Sequence, residues 1–178
     1  RVRRIGLLTT MSSSDAAPFH HAFRLGLRDL GWVEGKNLSI EYRYAEGKNE
    51  RIPDLAADLV RLKVDVIVTS GTTGTLAAQR ATKAIPIVTA AAGDPVAYGL
   101  GETLARPGGN VTGMSQMATE LAGKRLELLK ETLPKLSQVA VLHEAASRHA
   151  PSDLEPAARR LGLPPNCSNV TCFSGSRP

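Results

Sequence analysis

Three short polar segments contain the residue types best suited to holding a small solute. They lie at residues 10–15, 70–74 and 91–95, and each follows a run of residues that is predicted to form a buried strand. The candidate ligand-binding residues in these segments are Thr10, Ser12, Ser70, Gly71, Thr72, Thr73, Ala92 and Asp94. Ligands of open α/β sheets bind outside the carboxyl ends of the strands, so we expect the three segments to meet there.

The segment at 70–74 is the most informative of the three, because small hydroxyl residues and glycines stand where a strand enters a helix. Free backbone N–H groups and the positive helix end would favour an anion there, such as a carboxylate. Ordinary capping of the helix by Ser70 or Thr72 explains the same residues equally well. Asp94 could likewise bind a ligand amine or hydroxyl, or cap a short helix predicted at 96–104, and we favour the cap.

Residues that would support catalysis or cofactor binding do not form a recognisable set. No phosphate-binding lysine follows the segment at 70–74, and the sequence has no G-x-G-x-x-G motif. The chain has four histidines, His20, His21, His143 and His149. None of them is expected to pair with an acid and a nucleophile. The first two are expected to be partly exposed on a helix, and His143 could face a cleft. We therefore predict a binding module that is not an enzyme and needs no cofactor.

The elements that must position these segments alternate between strands and helices. Strand-like runs are predicted at 4–9, 38–44, 64–69, 85–92 and 111–114. Helices are predicted between them: one with Phe19, Phe23, Leu27 and Leu30 on one face, one with Ile52, Leu55, Leu59 and Leu62, one at 72–83 and the short one at 96–104. This spacing predicts a doubly wound α/β lobe with a parallel sheet over residues 1–114.

The pattern begins again beyond residue 114 but stops early. Leu126, Leu129 and Leu133 share one face of a helix that Pro134 ends, and a strand is predicted at 138–142. The residues at 152–155 form a capping box that opens a last helix to about residue 161. Two helices and one strand cannot close a second parallel lobe, so we predict a crossover and incomplete second α/β lobe at 115–163 and an irregular tail at 164–178.

The overall composition narrows the class of protein. The chain has 178 residues, of which 42% are hydrophobic and only 4% aromatic, which suits α/β layers. Its net charge of +5 is spread along the chain, so we predict no nucleic-acid partner. Cys167 and Cys172 have no partner at metal-ligand spacing, so no metal site is predicted. A disulfide between them would close only a small loop, and we favour two incidental thiols over it.

Three further segments carry a family resemblance. They are Leu-Gly-Trp-Val-Glu-Gly-Lys-Asn-Leu at 30–38, Gly-Asp-Pro-Val-Ala-Tyr-Gly-Leu at 93–100 and Arg-Pro-Gly-Gly-Asn-Val-Thr-Gly at 106–113. In order and spacing they resemble the ABC-transporter substrate-binding proteins of the tryptophan/tyrosine type, which have the type I periplasmic-binding fold. The similarity extends from about Arg4 to Leu163.

The resemblance implies two α/β lobes with a hinge, which close on a small ligand such as an amino acid. It also implies a periplasmic or extracytoplasmic location and delivery of the ligand to an ABC permease in the membrane. Carried over by position, Ser12, Ser70, Thr72 and Asp94 would line the cleft on the side of the N-terminal lobe, and Ser115 lies at the expected crossover.

Two departures from the family pattern qualify these expectations. The family usually has Asn where this chain has Glu144 after His143, and a family member continues for about a hundred residues beyond residue 163. We therefore expect a truncated or frame-shifted product with weak amino-acid binding and a homodimer through the exposed interlobe surface. The alternatives are a doubly wound nucleotide-binding domain or enzyme, and the effector-binding domain of a transcription regulator.

Overall fold

The computed structural model describes residues 2–103, 105–116, 118–137, 139–141 and 150–163. The chain divides into two compact units, residues 1–116 and residues 117–178. The first unit holds a five-stranded sheet, and the second holds two helices. All the candidate ligand-binding residues belong to the first unit.

The sheet of the first unit is parallel throughout. Its strands are β1 (Arg3–Thr9), β2 (Leu38–Tyr44), β3 (Val66–Thr69), β4 (Ile87–Ala92) and β5 (Val111–Ser115), and they run in the order β2-β1-β3-β4-β5. The helices of this unit are α1 (Ser13–Asp29), α2 (Ile52–Arg61), which a 3₁₀ turn at Asn49–Arg51 precedes, and α3 (Thr72–Ala81). The doubly wound α/β class predicted from the sequence is confirmed.

Helices cover both faces of the sheet, because successive strand residues point to opposite sides and both sides of these strands are apolar. On one face, Phe23 and Leu27 of α1 pack on β1 and β2. On the other face, Leu59 of α2 and Ala78 of α3 are completely buried. Gly6 of β1 lies directly under Leu59, since a Cβ there would come within 2.8 Å of the leucine Cδ2.

The chain reverses its direction across the sheet after β2. α1 leads from β1 to β2 on one face, and α2 returns past β1 to β3 on the other face. The carboxyl ends of β1 and β3 therefore form the topological switch point, where open α/β sheets bind their ligands.

The buried face of α1 differs from the predicted one. Phe23 and Leu27 contact the sheet as expected, but Phe19 is 65% exposed and Leu30 is 77% exposed. Leu30 lies past the last turn as the C-cap residue, and the helix is rotated so that His20 rather than Phe19 faces the strands. The expectation that His20 is partly exposed was therefore wrong.

The second unit contains α4 (Ala118–Thr132) and α5 (Ala150–Arg160). Leu126 of α4 is buried in a small cluster with Ala157 and Leu163. The predicted apolar face of α4 is only partly correct, because Leu129 and Leu133 remain exposed.

Two further predictions for the second unit differ from the structure. Residues 139–141, the described part of the strand predicted at 138–142, are not in a strand. A strand needs a neighbouring strand to pair with, and none is found among the described residues of this unit. The last helix begins at Ala150, so the predicted capping box at 152–155 lies inside α5 and not at its start.

Several predictions fall outside the described residues. They concern His143, Glu144, His149, Cys167, Cys172 and the tail at 164–178. Within the described part of the chain, no helix combines the length and apolar character needed to cross a bilayer.

Candidate functional site

At the switch point, a hydrogen bond joins the second polar segment to the end of β1, directly before the first polar segment. Thr9, the last residue of β1, is buried, and its Oγ1 accepts a hydrogen bond of 2.8 Å from the Ser70 hydroxyl. The same oxygen accepts the backbone N–H of Met11 at 3.2 Å. Ser70 follows β3 directly, so this bond joins the ends of β1 and β3 and sets the spacing of the two segments.

Ser12 in the first segment already has a structural role. It is the N-cap residue of α1, and its Oγ accepts the backbone N–H of Asp15 at 3.1 Å. The Ser12 hydroxyl also donates to a carboxylate oxygen of Asp15 at 2.7 Å, and it lies 2.9 Å from the Ser14 hydroxyl. Thr10 is half-buried beside this cap, and its carbonyl accepts the backbone N–H of Gly47.

The backbone N–H groups in the first turn of α3 have no side-chain cap. Gly71 is the N-cap residue, and no side chain caps this helix. Ser70 donates to Thr9, while the Oγ1 of Thr72 accepts the backbone N–H of Gly93 at 2.9 Å. The interpretation of Ser70 or Thr72 as a cap was therefore wrong, and the backbone N–H groups at the positive end of α3 are placed to receive an anion. The side chain of Thr73 is exposed beside them.

Asp94 in the third segment caps a tight turn rather than a helix. Its Oδ1 accepts the backbone N–H groups of Val96 at 2.9 Å and Ala97 at 3.1 Å. The helix predicted at 96–104 was wrong, since residues 95–99 form a turn that ends at Gly99 with φ +67°. That left-handed conformation stops a helix after one turn. The capping role favoured for Asp94 is observed at this turn.

Ala92 and Ser115 lie beside the third segment, with different exposure. Ala92 is completely buried in the core, so it offers no side chain to a ligand. Its carbonyl accepts the backbone N–H of Gln116 at 2.9 Å. The Ser115 hydroxyl donates to the carbonyl of Gly93 at 3.3 Å. The end of β5 is thereby held against the segment that follows β4.

Tyr98 is a neighbour of the site that sequence reasoning missed. Its ring lies over Gly93, where a Cβ would come within 3.0 Å of the ring and 3.3 Å of the Thr72 Oγ1. Any larger residue than glycine at position 93 would therefore require the Tyr98 ring to shift. The glycine in the 93–100 segment was noted in the sequence, but its contact with a tyrosine five residues later was not.

Sequence reasoning also missed a buried hydroxyl cluster beneath the switch point. The Oγ1 of Thr75 lies 2.7 Å from that of Thr69 and 3.1 Å from that of Thr89, and its hydroxyl donates to the carbonyl of Gly71. All three threonines are buried, and Thr69 and Thr89 are register partners on β3 and β4. The available signal was a threonine near the end of each strand. This cluster anchors the start of α3 to the sheet.

The assembled site presents hydrogen-bond donors and acceptors. Its groups are serine and threonine hydroxyls, backbone N–H groups at the start of α3 and the carboxylate of Asp94. Within the described residues, no group of three or more His, Cys, Asp or Glu side chains could hold a metal ion. Such a set can hydrogen-bond a solute that carries an anionic group and polar substituents.

His20 is buried on the face of the sheet that α1 covers, which is opposite to the face covered by α2 and α3. It lies next to two tyrosines. Its Nδ1 lies 3.1 Å from the Tyr44 hydroxyl oxygen, and its ring centroid is 5.1 Å from that of Tyr42. Burial lowers the pKa of His20 below its ordinary value, and the nearby positive charge of Arg24 lowers this pKa further. The folded protein therefore favours the neutral imidazole.

This lowered pKa predicts a stability that falls on acidification. Unfolded chains take up a proton on His20 as the pH falls through about 6.5, whereas the folded protein takes it up only at lower pH. Urea unfolding between pH 8 and pH 5 should therefore show stability falling below about pH 6.5. His20→Gln should flatten this dependence, and the exposed neighbour His21→Gln should keep it. Equal pH profiles for the wild type and His20→Gln would contradict the assignment.

Comparison with known families and proteins places this architecture among transport proteins. A family model described as "ABC transporter substrate binding protein" matches residues 5–163 of this chain. The curated "Tyrosine-binding protein" of Clostridioides difficile (strain R20291) is 32% identical over 144 residues, which are 81% of this chain and 41% of that protein.

Solved structures also match most of this chain. A conserved domain protein from Vibrio cholerae is 30% identical with a TM-score of 0.81, and the match covers 92% of this chain and 56% of that one. An ABC domain in complex with L-Trp from Streptococcus pneumonia is 25% identical with a TM-score of 0.79, and the match covers 97% of this chain and 57% of that one. The chain thus spans about half the length of these relatives.

Proposed function

Because this chain belongs to the ABC transporter substrate-binding protein family, we propose that it is the solute-binding component of an ABC importer. Its solute is an amino acid or a related small molecule. The curated relative is named for tyrosine, and one similar structure was solved with L-Trp, which supports this class of ligand.

The observation that carries the proposal is the way in which hydrogen bonds gather the polar segments around the open start of α3. The bond from Ser70 to Thr9 joins the second segment to the end of β1, where the first segment begins, and the bond from the Gly93 N–H to Thr72 joins the second and third. The ligand carboxylate would lie at the first turn of α3, where no side chain competes for the backbone N–H groups. Hydroxyls of Ser12 and Thr73 would face the rest of the solute.

We propose that the site binds its ligand without making or breaking a covalent bond. The family description is that of a binding protein, and the hydroxyls of Ser12, Ser70 and Thr72 are engaged in a cap and in bonds between segments. The family assignment does not favour the nucleotide-binding or enzymatic alternative, nor the regulator domain.

The partners and location follow from the same family assignment. We propose an extracytoplasmic or periplasmic location and docking to an ABC permease, as the family description supports. We retain the division into an N-terminal lobe at 1–114, a crossover and partial second lobe at 115–163 and a tail at 164–178. A homodimer through the interlobe surface stays a prediction, which light scattering of the purified chain would check.

A pair of variants at Thr72 tests the role of the α3 N–H groups. Proline suits the first helical position, and the preceding Gly71 is already extended, with φ 175° and ψ 176°, as a residue before proline must be. Thr72→Pro and the control Thr72→Ala both lose the hydroxyl, but only Thr72→Pro loses the N–H. A charge-assisted hydrogen bond predicts about tenfold weaker binding of L-Tyr or L-Trp by Thr72→Pro than by Thr72→Ala.

Titration followed by ¹⁵N NMR suits the weak binding that is expected of this chain. Wild-type amide signals of Thr72, Thr73 and Gly93 should shift on addition of either amino acid. The same titration should show weaker binding by Thr72→Pro than by Thr72→Ala. Equal affinity in the two variants would show that the ligand carboxylate does not bind at the start of α3. Unchanged signals in all three segments up to about 10 mM amino acid would overturn the proposed ligand class.

A further inference from the structure

A cavity that is open to solvent lies at the end of the first unit that is opposite to the candidate site. It has a volume of about 320 Å³ and is lined by the C-terminal half of α1, the loop at 30–37 and the start of β2. We call it the α1–β2 pocket. Leu27, Leu38 and Ile40 form its apolar floor, and Leu38 is the first residue of β2. The candidate site lies at the carboxyl ends of the strands, so the two are separate.

The wall of the α1–β2 pocket is a hydrogen-bonded loop that carries Trp32 and Val33. The Oδ1 of Asn37 accepts the backbone N–H of Val33 at 2.7 Å, and its Nδ2 donates to the carbonyl of Gly31 at 2.9 Å. Gly31 and Gly35 take the left-handed conformation that this tight path requires, with φ +84° and +81°. Both residues and Asn37 belong to the 30–38 segment noted in the sequence. The pocket is therefore preformed.

The rim of the pocket has an excess of positive charge. Arg24, Arg28 and Glu34 line it, and Arg24 lies 3.9 Å from the carboxylate of Glu34. Arg28 has no ion-pair partner among the described residues. An apolar floor beside one uncompensated guanidinium suits a ligand with an apolar body and a carboxylate.

From this geometry we propose that the α1–β2 pocket binds a small amphipathic carboxylate, with its ring on the apolar floor beside Trp32 and its carboxylate on Arg28. The volume of the pocket limits the size of the ligand, because it is close to about 300 Å³, the lower end of the range for small-molecule sites. A single ring with a short acidic side chain fits that space, and an extended peptide does not. The proposal is independent of the function of the candidate site.

The fluorescence of Trp32 offers a direct test, because it is the only tryptophan in the chain. Phenylacetate is the probe, and benzylamine is the control that has the same ring with the opposite charge. Phenylacetate should change the Trp32 emission saturably, with half-saturation at or below about 10 mM, and benzylamine should not. No saturable change with phenylacetate, or an equal response to benzylamine, would overturn the proposal.

Two matched variants separate the proposed contact from a general loss of charge. Arg28 and Arg80 each stand in the last turn of a helix, α1 and α3 respectively, and only Arg28 lines the pocket. Arg28→Gln should weaken phenylacetate binding by up to about fivefold, as expected for a charge-assisted contact of an exposed side chain, and Arg80→Gln should leave it unchanged. Equal affinities in the two variants would also overturn the proposal.

Discussion

Replacing Gly113 by alanine is expected to destabilise the first unit by about 3 kcal/mol or more, through strain and overpacking of the backbone. Gly113 lies in β5 with φ +142°, a conformation that side chains disfavour. A Cβ there would also collide with the backbone of Thr89 on β4, at 2.7 Å from its nitrogen and 2.9 Å from its carbonyl carbon, and with its carbonyl oxygen. Because these are main-chain atoms, no side chain can turn aside to relieve the contact.

The effect should spread to the candidate site. Thr89 and Gly113 are register partners, and the register of β4 and β5 shifts between Thr89 and Ala92, next to the pairing of Ala92 with Ser115. An alanine at 113 would part the two strands just before the third polar segment. Gly93 and Ser115 should therefore show the largest changes in amide NMR signals outside the mutated strand.

Gly109→Ala is the matched control for this substitution. A Cβ added at Gly109 would meet no atom within 4 Å, and this glycine has no positive φ. The control should therefore stay within about 0.5 kcal/mol of the wild type in urea unfolding followed by circular dichroism. Equal midpoints for Gly113→Ala and Gly109→Ala would show that β5 does not approach β4 as described.

Thr75→Val is expected to destabilise the protein by about 2–3 kcal/mol, because it removes the hydroxyl at the centre of a buried cluster. Valine has nearly the shape of threonine, so the main effect is that the buried hydroxyls of Thr69 and Thr89 lose their shared polar neighbour. The hydrogen bond from the hydroxyl to the carbonyl of Gly71 is lost as well, which leaves only the backbone N–H of Thr75 on that carbonyl in the first turn of α3.

The control for Thr75→Val is Thr73→Val, which makes the same chemical change two residues earlier on the same helix. The side chain of Thr73 is exposed, so its replacement should change the free energy of unfolding by less than about 0.5 kcal/mol. Urea unfolding of both variants is the measurement. If Thr75→Val proves as stable as Thr73→Val, the three hydroxyls are not the structural anchor proposed for α3.

The candidate site could be predicted only in part from the sequence. The three polar segments were located correctly relative to the strands, because a strand, a polar segment and a helix follow one another along the chain. The role of individual side chains was harder to predict. Ser12 caps α1, Ala92 is buried, and Thr72 accepts an N–H from Gly93, which lies 21 residues away. None of these outcomes depends on the immediate neighbours alone.

The sequence by itself determined the class of fold and the place of the candidate site within it. Local periodicity identifies the five strands of the sheet and the helices α1, α2 and α3 between them, and the right-handed connection of successive parallel strands leaves few ways to join them. Polar segments after apolar strands then mark one edge of the sheet. These inferences use only patterns that are a few residues long, so the amino-acid sequence alone is sufficient to make them.

Only the tertiary structure decided which side chains meet and which face inward. The rotation of α1 places His20 rather than Phe19 against the sheet, and the pairing of β1 with β3 brings Ser70 to Thr9, 61 residues earlier in the chain. The rotation and the pairing are both set by packing between distant elements, whose free energy depends on all the contacts at once. Periodicity shows that a helix or strand forms, but the packing of the complete unit selects its neighbours.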